Sequence, residues 1–465
     1  MGNRTIKRHV LQVAAFLLVC LGILAIYVTY LQTVAADDLA KNPWNRRSSQ
    51  ADADIVRGTI LDSEGRALAQ SAQAGVRSYP MGESMAFVTG YSAESIGSSG
   101  IESYANRDLL GVTEEMGRMG PLSQLFQSDR GNDVRLSIDA DAQQAAFDGL
   151  AGRRGAVVVL DVDTGAVLAL VSSPSYNPNR IVEDWDALVE REDSPLLNRA
   201  LQGLYPPGST IKPMIADIAL EQGATDTHEV FDCPGSLDVG GGDSIRESHG
   251  EVHGSVRLEQ ALVKSCNVTF GALAMRMGVK PLEEGFSRFG FHELADGELP
   301  ESASHLPDFP ELGPGDIAQV GIGQSTLLVT PMRMALLAAA MANDGIVMKP
   351  YMISQVISPK GVVMKEHSPK KWFTATTRDR ANLLDGWMEE VVQKGTGTAA
   401  KVSGVKVTGK TGTAENPAGE DHAWFMGSAI IGRHRIAFSI IVENSGGGGT
   451  EAAPIARKII LSLDK

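Results

Sequence analysis

Three short motifs contain the residue types that acyl transfer through a serine requires. In chain order they are Ser209-Thr210-Ile211-Lys212, Ser265-Cys266-Asn267 and Lys410-Thr411-Gly412-Thr413. A serine hydroxyl becomes a nucleophile when a base beside it accepts its proton. At the start of a helix, residues three apart share one face, so Lys212 can reach back to Ser209. The first motif therefore predicts Ser209 as a nucleophile and Lys212 as its base.

Each motif is short enough to occur by chance, so the surrounding sequence decides which match is meaningful. Chance matches to the first and second motifs are Ser368–Lys371, Ser403–Lys406, Ser462–Lys465 and Ser175–Asn177. Ser368 precedes a proline, Ser403 leads into a strand pattern, and Ser462 lies near the last residue. Ser209 instead follows the turn Tyr205-Pro206-Pro207-Gly208 and opens an amphipathic helix, whose N-terminal dipole favours developing negative charge.

A lysine that serves as a base must be neutral, although the pKa of a free lysine is about 10.4. Burial lowers the pKa of an amine, and so does a second positive charge close to it. The third motif offers Lys410 as that second charge. We therefore expect Lys212 and Lys410 to lie close together in a buried site.

The hydrophobic pattern predicts the elements that must position these residues. Helices are predicted over 142–150, 209–220, 257–277, 330–342, 378–393 and 452–463, and strands over 156–161, 166–171, 405–408, 424–431 and 435–442. The order is strands, many helices, strands and a final helix. This order indicates an α/β (α+β) fold, in which helices cover an antiparallel sheet and a separate helical lobe is inserted.

The N-terminal region predicts a membrane anchor. The uncharged segment from Val10 to Ala36 follows Arg4, Lys7 and Arg8, and it precedes Asp37 and Asp38. It is long enough to cross a bilayer, and the positive-inside rule places the N-terminus in the cytoplasm. A cleaved signal peptide ending at Val34-Ala35-Ala36 is the alternative, but its apolar core would be only roughly 7–15 residues long. We expect a cytoplasmic tail at 1–9, a transmembrane helix at 10–36, a linker with a small extracytoplasmic module at 37–132, and a catalytic domain at 133–465.

Composition excludes other classes of protein. The chain has 465 residues and a formal net charge of -14, which makes it a poor candidate for nucleic-acid binding. Its three cysteines are Cys20, Cys233 and Cys266, which are too few for a disulfide scaffold. The sequence contains no CxxC pair, so a zinc ribbon is excluded.

The residues around the motifs resemble those of class B penicillin-binding proteins, which are penicillin-recognising serine enzymes. The matching segments are YPPGSTIKP, SCN, GKTGTAE at 409–415, HAWF at 422–425, RGTILDSEG at 57–65, GAVVVLDVDTGAVLALVSSPSYNPN at 155–179 and GIGQ at 321–324. The resemblance covers nearly the whole chain. It implies a sheet domain with an all-helical subdomain and the active site between them.

The resemblance also implies a D,D-transpeptidase that cross-links peptidoglycan and binds β-lactams covalently. Ser209 would attack the penultimate D-Ala carbonyl of a stem peptide, with Lys212 as general base. Ser265 would relay a proton to the leaving amine, and Asn267 would hold the substrate amide. Expected ligands of the terminal carboxylate lie in the segment Lys410, Thr411, Gly412 and Thr413, and the backbone N–H groups of Ser209 and Thr413 would form the oxyanion hole. The implied partner is a membrane glycan polymerase of the shape, elongation, division and sporulation family; no cofactor is implied.

A zinc site and a disulfide remain alternatives for the cysteines. Cys233, Asp243, His249 and His253 lie close together in the sequence, and some relatives carry a metal near this position. Because this stretch is rich in glycine, solvated histidines are the simpler interpretation, and we expect no metal. A Cys233–Cys266 disulfide is disfavoured because Cys266 lies inside a motif. For His422 we expect a structural hydrogen bond, and the Gly446–Gly449 loop is either a plain turn or part of the entrance to the site.

Related functions share the same motifs. A serine β-lactamase would hydrolyse its acyl-enzyme, but it would need neither the anchor nor the extra module. A non-catalytic β-lactam sensor or scaffold would need several spanning helices or a lost motif residue. A D,D-carboxypeptidase would use water as the acceptor, and only the resemblance argues against it.

Overall fold

A computed structural model describes residues 2–33, 35, 55–112, 129–416 and 419–464, so the predicted linker at 37–54 lies outside the described residues. The helices are α1 (Gly2–Thr33), α2 (Ala86–Thr89), α3 (Gly100–Tyr104), α4 (Asn106–Leu109), α5 (Ala140–Leu150), α6 (Ile181–Glu190), α7 (Lys212–Glu221), α8 (Leu258–Lys264), α9 (Asn267–Met277), α10 (Val279–Arg288), α11 (Pro314–Gly321), α12 (Pro331–Ala342), α13 (Arg378–Lys394), α14 (Gly448–Glu451) and α15 (Ala453–Leu463). The strands are β1 (Ile60–Leu61), β2 (Ala67–Gln73), β3 (Val76–Ser78), β4 (Ser92–Ala93), β5 (Gly97–Ser98), β6 (Asp133–Leu136), β7 (Gly155–Asp161), β8 (Val167–Ser173), β9 (Val230–Cys233), β10 (Ser236–Gly240), β11 (Asp243–Arg246), β12 (Gly254–Arg257), β13 (Ile346–Met348), β14 (Ile353–Ile357), β15 (Val363–Glu366), β16 (Lys371–Thr374), β17 (Lys406–Ala414), β18 (His422–Ile431) and β19 (His434–Val442).

A five-stranded antiparallel sheet forms the centre of the fold, with the strand order β17-β18-β19-β7-β8. Side chains along a strand alternate between the two faces, and in this sheet both faces are buried. Val157 and Val159 of β7 pack with α5 and with residues of α15 such as Ile455. Val158 and Leu160 pack on the opposite face, in the core that includes α12. The predicted fold class, an antiparallel sheet covered by helices, is confirmed.

The inserted lobe lies between β8 and β17 and carries most of the helices, as predicted. It also contains three short antiparallel strand pairs, β9–β12, β10–β11 and β13–β16. These strands have three to five residues each. Such short runs, interrupted by glycines at 240–242, give too little alternation for the sequence pattern to reveal them.

A second, six-stranded sheet has the order β15-β14-β6-β1-β2-β3. It therefore joins strands on both sides of the predicted domain boundary at 132/133, and that boundary stays a prediction. In the N-terminal module, the buried carboxylate of Glu102 lies 2.6 Å from the Nε atoms of both Arg57 and Arg77. This pairing connects β3 and the segment before β1 to α3.

Predicted elements differ from the observed ones at all three motifs. The helix predicted over 209–220 starts with the 3-10 turn Gly208–Ile211, and α7 begins at Lys212. The helix predicted over 257–277 is interrupted at Ser265, whose φ of 63° ends α8 before α9 begins. Periodicity continues across this break, so the pattern alone does not indicate it. The strand predicted over 405–408 extends to Ala414, because the third motif continues the pairing of β17 with β18.

Helix α1 contains a segment, Leu11–Leu31, that is long and apolar enough to cross a membrane. Its side chains from Leu11 to Tyr30 are exposed. Among the described residues it is the one helix that meets both criteria of length and composition.

Candidate active site

Ser209 lies in a 3-10 turn, Gly208–Ile211, that leads directly into α7. Gly208 has a φ of 53°, and a Cβ atom there would lie 2.9 Å from the carbonyl oxygen of Thr413. The position therefore requires glycine for both conformation and space. Gly208 N–H also donates to Gly323 O at 2.9 Å. These contacts hold the turn between β17 and the GIGQ segment, with the backbones of Ser209 and Thr413 close together.

The amine of Lys212 lies between the residues of the second motif. Its Nζ donates to the carbonyl oxygen of Ser265 at 2.6 Å and to Asn267 Oδ1 at 2.7 Å, and it is 3.3 Å from Ser265 Oγ. Among the described residues, Ser209 Oγ makes no hydrogen bond, so none joins it to Lys212 in the structure, and the role of Lys212 as its base stays a prediction. Hydrogen bonds between catalytic groups often tighten only when substrate is bound.

Lys410 approaches Ser265 from the opposite side. Its Nζ donates to Ser265 Oγ at 2.8 Å and to the carbonyl oxygen of Thr411 at 3.0 Å. Both Lys410 and Lys212 are fully buried. The hydroxyl of Ser265 therefore lies between two lysine amines, and the two lysines lie close together in a buried site, as expected.

The surroundings of the two lysines disfavour their charged forms. Burial lowers the pKa of Lys212 to about 8, although the negative charge of Glu247 partly opposes this effect. Burial also lowers the pKa of Lys410 well below its usual value, and the charge of Lys212 adds to that effect. Because the influence is reciprocal, the pair loses a proton at a lower pH than an isolated lysine would.

Asn267 is fixed by the first turn of α9 and by Glu247, a residue that the sequence did not indicate. Glu247 accepts hydrogen bonds from the backbone N–H groups of Asn267 at 2.9 Å and Val268 at 2.8 Å. Asn267 Nδ2 donates to the carbonyl oxygen of Arg246 at 2.9 Å, which leaves Oδ1 facing Lys212. Ser265 has a left-handed backbone conformation and ends α8. The side chains of Ser265 and Asn267 can therefore both reach the amine of Lys212.

The other third-motif residues lie along the edge strand β17. Thr411 is buried, and its hydroxyl is 2.5 Å from the hydroxyl of Thr396. Thr413 is exposed next to the Ser209 turn. A Cβ atom at Gly412 would lie 2.9 Å from Thr210 Cγ2, so a glycine there permits close packing of the turn.

Four side chains behind the second motif place their potential ligand atoms within 4.8 Å of one another: Cys233, Glu247, His253 and Cys266. The sequence pointed to Cys233 and His253 but also to Asp243, which is exposed on β11, and to His249, whose side chain lies outside the described part of the chain. Glu247 and Cys266 were missed as ligands, because Glu247 belongs to no motif and Cys266 was considered only as part of the SCN motif and of a possible disulfide.

Two thiols, an imidazole and a carboxylate form a donor set that suits Zn²⁺. Both cysteines are free thiols, with their sulfurs 2.7 Å apart, so the alternative disulfide is not formed in the structure. An ion here would fix Cys266, and with it the backbone between Ser265 and Asn267. It would support the site without touching the reacting atoms.

Zinc should stabilise the thiol-reduced protein. Binding to the folded state raises the unfolding temperature by mass action, so the midpoint should rise when Zn²⁺ is added. His253→Ala should reduce this shift, whereas His228→Ala, at an exposed histidine outside the cluster, should not. An unchanged midpoint in the wild type, measured by calorimetry, would contradict a metal-binding role.

Two further expectations concern His422, the first residue of β18, and the Gly446–Gly449 loop after β19. The structural hydrogen bond of His422 is confirmed: Asn444 N–H donates to its Nδ1 at 3.2 Å. In the Gly446–Gly449 loop, a Cβ atom at Gly448 would lie 2.0 Å from Trp424 O and 2.5 Å from Gly412 O. This loop therefore packs closely against Gly412 of the third motif, and only a glycine at position 448 leaves room for that contact.

Comparisons with known proteins agree with this geometry. The penicillin-binding protein transpeptidase domain matches residues 155–461, and the penicillin-binding protein A dimerisation domain matches residues 57–133. Peptidoglycan D,D-transpeptidase MrdA of Acinetobacter baumannii is 34% identical over 78% of this chain, which spans 57% of that relative's length. Peptidoglycan D,D-transpeptidase PbpA of Mycolicibacterium smegmatis is 31% identical, and the match covers 98% of both chains.

Solved structures show the same similarity. The ceftriaxone acyl-enzyme complex of penicillin-binding protein A from M. tuberculosis has a TM-score of 0.82 and 30% identity, covering 89% of this chain and 99% of that chain. The D,D-transpeptidase domain of a peptidoglycan glycosyltransferase from Eggerthella lenta has a TM-score of 0.80 and 34% identity, covering 88% of this chain and 98% of that chain.

Proposed function

The chain belongs to the class B penicillin-binding proteins, and on that basis we propose that it is a peptidoglycan D,D-transpeptidase working through an acyl-enzyme on Ser209. The observation that carries the proposal is the hydroxyl of Ser265 between two buried lysine amines, one of them three residues after Ser209. This arrangement can remove a proton from one group and deliver it to another without solvent.

Acylation begins when Lys212, in its neutral form, takes the proton of Ser209. Ser209 Oγ then attacks the penultimate D-Ala carbonyl of a donor stem peptide. The developing oxyanion is held by the N–H groups of Ser209 and Thr413, whose backbones are adjacent because Gly208 packs on Thr413. The proton passes through Ser265 to the leaving amine of the terminal D-Ala, and the amine of a neighbouring stem later takes the acyl group.

Substrate recognition falls to the remaining motif residues. Asn267 holds the substrate amide, and the terminal carboxylate binds along the segment Lys410, Thr411, Gly412 and Thr413. In the structure the Lys410 amine donates to Ser265 Oγ and to the carbonyl oxygen of Thr411, so it lies beside the segment that would bind the carboxylate. A bound anionic carboxylate would favour the protonated form of this buried amine. β-Lactams present the same carboxylate and a strained amide to Ser209, and they acylate it.

The acylation rate should increase with pH through about 8, since burial lowers the pKa of Lys212 to about 8 and only its neutral form accepts the proton. Above that pH the rate should level off. Second-order acylation constants measured with a fluorescent penicillin, from neutral to alkaline pH, test this dependence. A rate that stays constant or falls over this range would remove Lys212 from the role of base.

Membrane anchoring and a partner complete the proposal. We place residues 1–9 in the cytoplasm, 10–36 in the membrane, and the module at 37–132 with the catalytic domain at 133–465 outside. The apolar helix and the basic residues before it support this orientation. A membrane glycan polymerase of the shape, elongation, division and sporulation family would supply the strands. External protease should degrade the catalytic domain in cells whose outer layers have been removed. If the catalytic domain is protected, it lies on the cytoplasmic side and the proposed orientation is wrong.

The direct test of the activity is cross-linking. The full chain in detergent, given glycan strands with stem peptides, should form dimeric stem peptides and release D-Ala, and benzylpenicillin should prevent both. Release of D-Ala without cross-links, even when acceptor amine is in excess, would indicate a carboxypeptidase instead.

A further inference from the structure

A buried ion-pair network lies behind the turn that carries Ser209. Glu443 directly follows β19, and its side chain is 7% exposed. Its Oε1 accepts hydrogen bonds from Arg199 Nε and from the hydroxyl of Tyr205, both at 2.7 Å. Its Oε2 is 2.8 Å from Arg154 Nε. One carboxylate therefore connects the end of β19 to two segments distant in the sequence, one containing Arg154 and the other running from Arg199 to Tyr205, and none of the roles assigned above uses it.

The charge of Glu443 is held in place by Arg199. The guanidinium of Arg199 is 1% exposed, and it also donates to the carbonyl oxygens of Ser194 at 2.9 Å and Asp193 at 2.6 Å. Burial alone would raise the pKa of Glu443, but the Tyr205 hydrogen bond and the charge of Arg199 outweigh it, so the pKa is lowered. A buried pair with this many hydrogen bonds has a fixed geometry.

Tyr205 transmits that geometry to the nucleophile. It is the first residue of the turn Tyr205–Gly208, which directly precedes Ser209. Its backbone pairs with Val329, at 3.0 Å and 2.9 Å. Its ring lies edge-on to the rings of His422 and Trp424, with centroids 5.5 Å and 6.1 Å away. Besides these ring contacts, the side chain donates the hydrogen bond from its hydroxyl to Glu443.

The same turn is attached to the strand that carries the third motif. Trp424 Nε1 donates to the carbonyl oxygen of Pro206 at 3.0 Å, and Trp424 pairs with Gly412 across β17 and β18. The Tyr205 hydroxyl thus holds one end of the turn at Glu443, the residue after β19. At the other end, Trp424 of β18 bonds to Pro206, and Gly208 packs against Thr413 of β17. A change at Tyr205 would alter the position of Ser209 relative to Thr413.

We propose that Glu443 is a positioning residue for acylation, which acts through the hydroxyl of Tyr205 to set the Ser209 turn against β17. Oxyanion stabilisation depends on donors placed within a few tenths of an ångström, so a small displacement of the turn slows the chemical step. Binding of the intact β-lactam relies on other contacts and is unaffected. The inference rests on the proposed function, since it concerns the acylation step.

Tyr205→Phe tests the proposal, because it removes one hydroxyl and keeps the ring. Stopped-flow measurements on the full chain in detergent, with a fluorescent penicillin, give the dissociation constant of the initial complex and the rate constant of acylation separately. We expect the rate constant to fall about tenfold, as small misplacements of reacting groups do, with the dissociation constant unchanged. Tyr176→Phe is the matched control: it removes another buried tyrosine hydroxyl, bonded to Ala86 O at 3.0 Å in the N-terminal module, and should leave both constants unchanged.

Glu443→Gln and its combination with Tyr205→Phe complete a double-mutant cycle. The two effects on the acylation rate should be clearly non-additive, because the residues act through one hydrogen bond. If Tyr205→Phe acylates as fast as the wild type, or if the two effects simply add, the positioning role is rejected. A wild-type protein that forms no adduct would instead reject the proposed function, so the two failures are distinguishable.

Discussion

Replacing Ser209 with alanine should abolish covalent attachment of penicillin. The hydroxyl is the atom that forms the ester, and the turn around it depends on Gly208, Gly323 and Trp424 rather than on the hydroxyl itself. Ser209 Oγ makes no hydrogen bond among the described residues, so its loss should leave the thermal unfolding midpoint nearly unchanged. Labelling with a fluorescent penicillin, read together with a melting curve, measures both quantities.

The sequence offers a matched control for this substitution. Ser403 is also followed three residues later by a lysine, but it is exposed, lies before β17 and belongs to none of the three motifs. Ser403→Ala should therefore retain full labelling. Residual labelling of Ser209→Ala at the wild-type rate would mean that another residue is the nucleophile.

Lys212→Ala should slow acylation by roughly 10²–10⁴, the usual contribution of a general base. The substitution removes the amine that bonds Ser265 O at 2.6 Å and Asn267 Oδ1 at 2.7 Å, so the second motif also loses its common partner. The inflection near pH 8 in the acylation profile should disappear with it. Stopped-flow acylation across pH, on the same preparation used for melting curves, gives both results.

Lys406 serves as a control for the loss of folding stability caused by removing a partly buried lysine amine. Lys406 lies on the same strand as the third motif, and its Nζ is 2.7 Å from Asp385 Oδ2. Lys406→Ala should lower stability without changing the acylation rate constant of the folded protein. If Lys212→Ala acylates within a few-fold of Lys406→Ala, the base is a different group.

The candidate catalytic residues are recognisable in the sequence because the chemistry proposed for them depends on local spacing. Ser209 and Lys212 are three residues apart at the start of one helix, and Lys410 begins a four-residue motif on β17. The strands of the central sheet are equally recognisable, since both faces of β7 are buried and nearly every residue is apolar. Their order in the sheet is not recognisable, because pairing such as β19 with β7 joins segments far apart in the chain.

The supporting residues could not be predicted, for the same reason. Tyr205 and Glu443 are 238 residues apart, and neither belongs to a short pattern. Glu247 meets Asn267 only because β11 leads back towards the first turn of α9. The break at Ser265 is not visible in the periodicity, because only Ser265, with its left-handed backbone, and Cys266 separate the two helices. Function in this protein is carried by local motifs, whereas their geometry is set by long-range polar contacts.

The most direct test of the acyl-enzyme is the intact mass of the full chain incubated with excess benzylpenicillin and sampled over hours, with Ser209→Ala alongside. A D,D-transpeptidase acylated at Ser209 should show one stable adduct on the wild type and none on the variant. An adduct that disappears while the drug is consumed would identify a β-lactamase, and a folded wild type without any adduct would contradict a catalytic role for the three motifs.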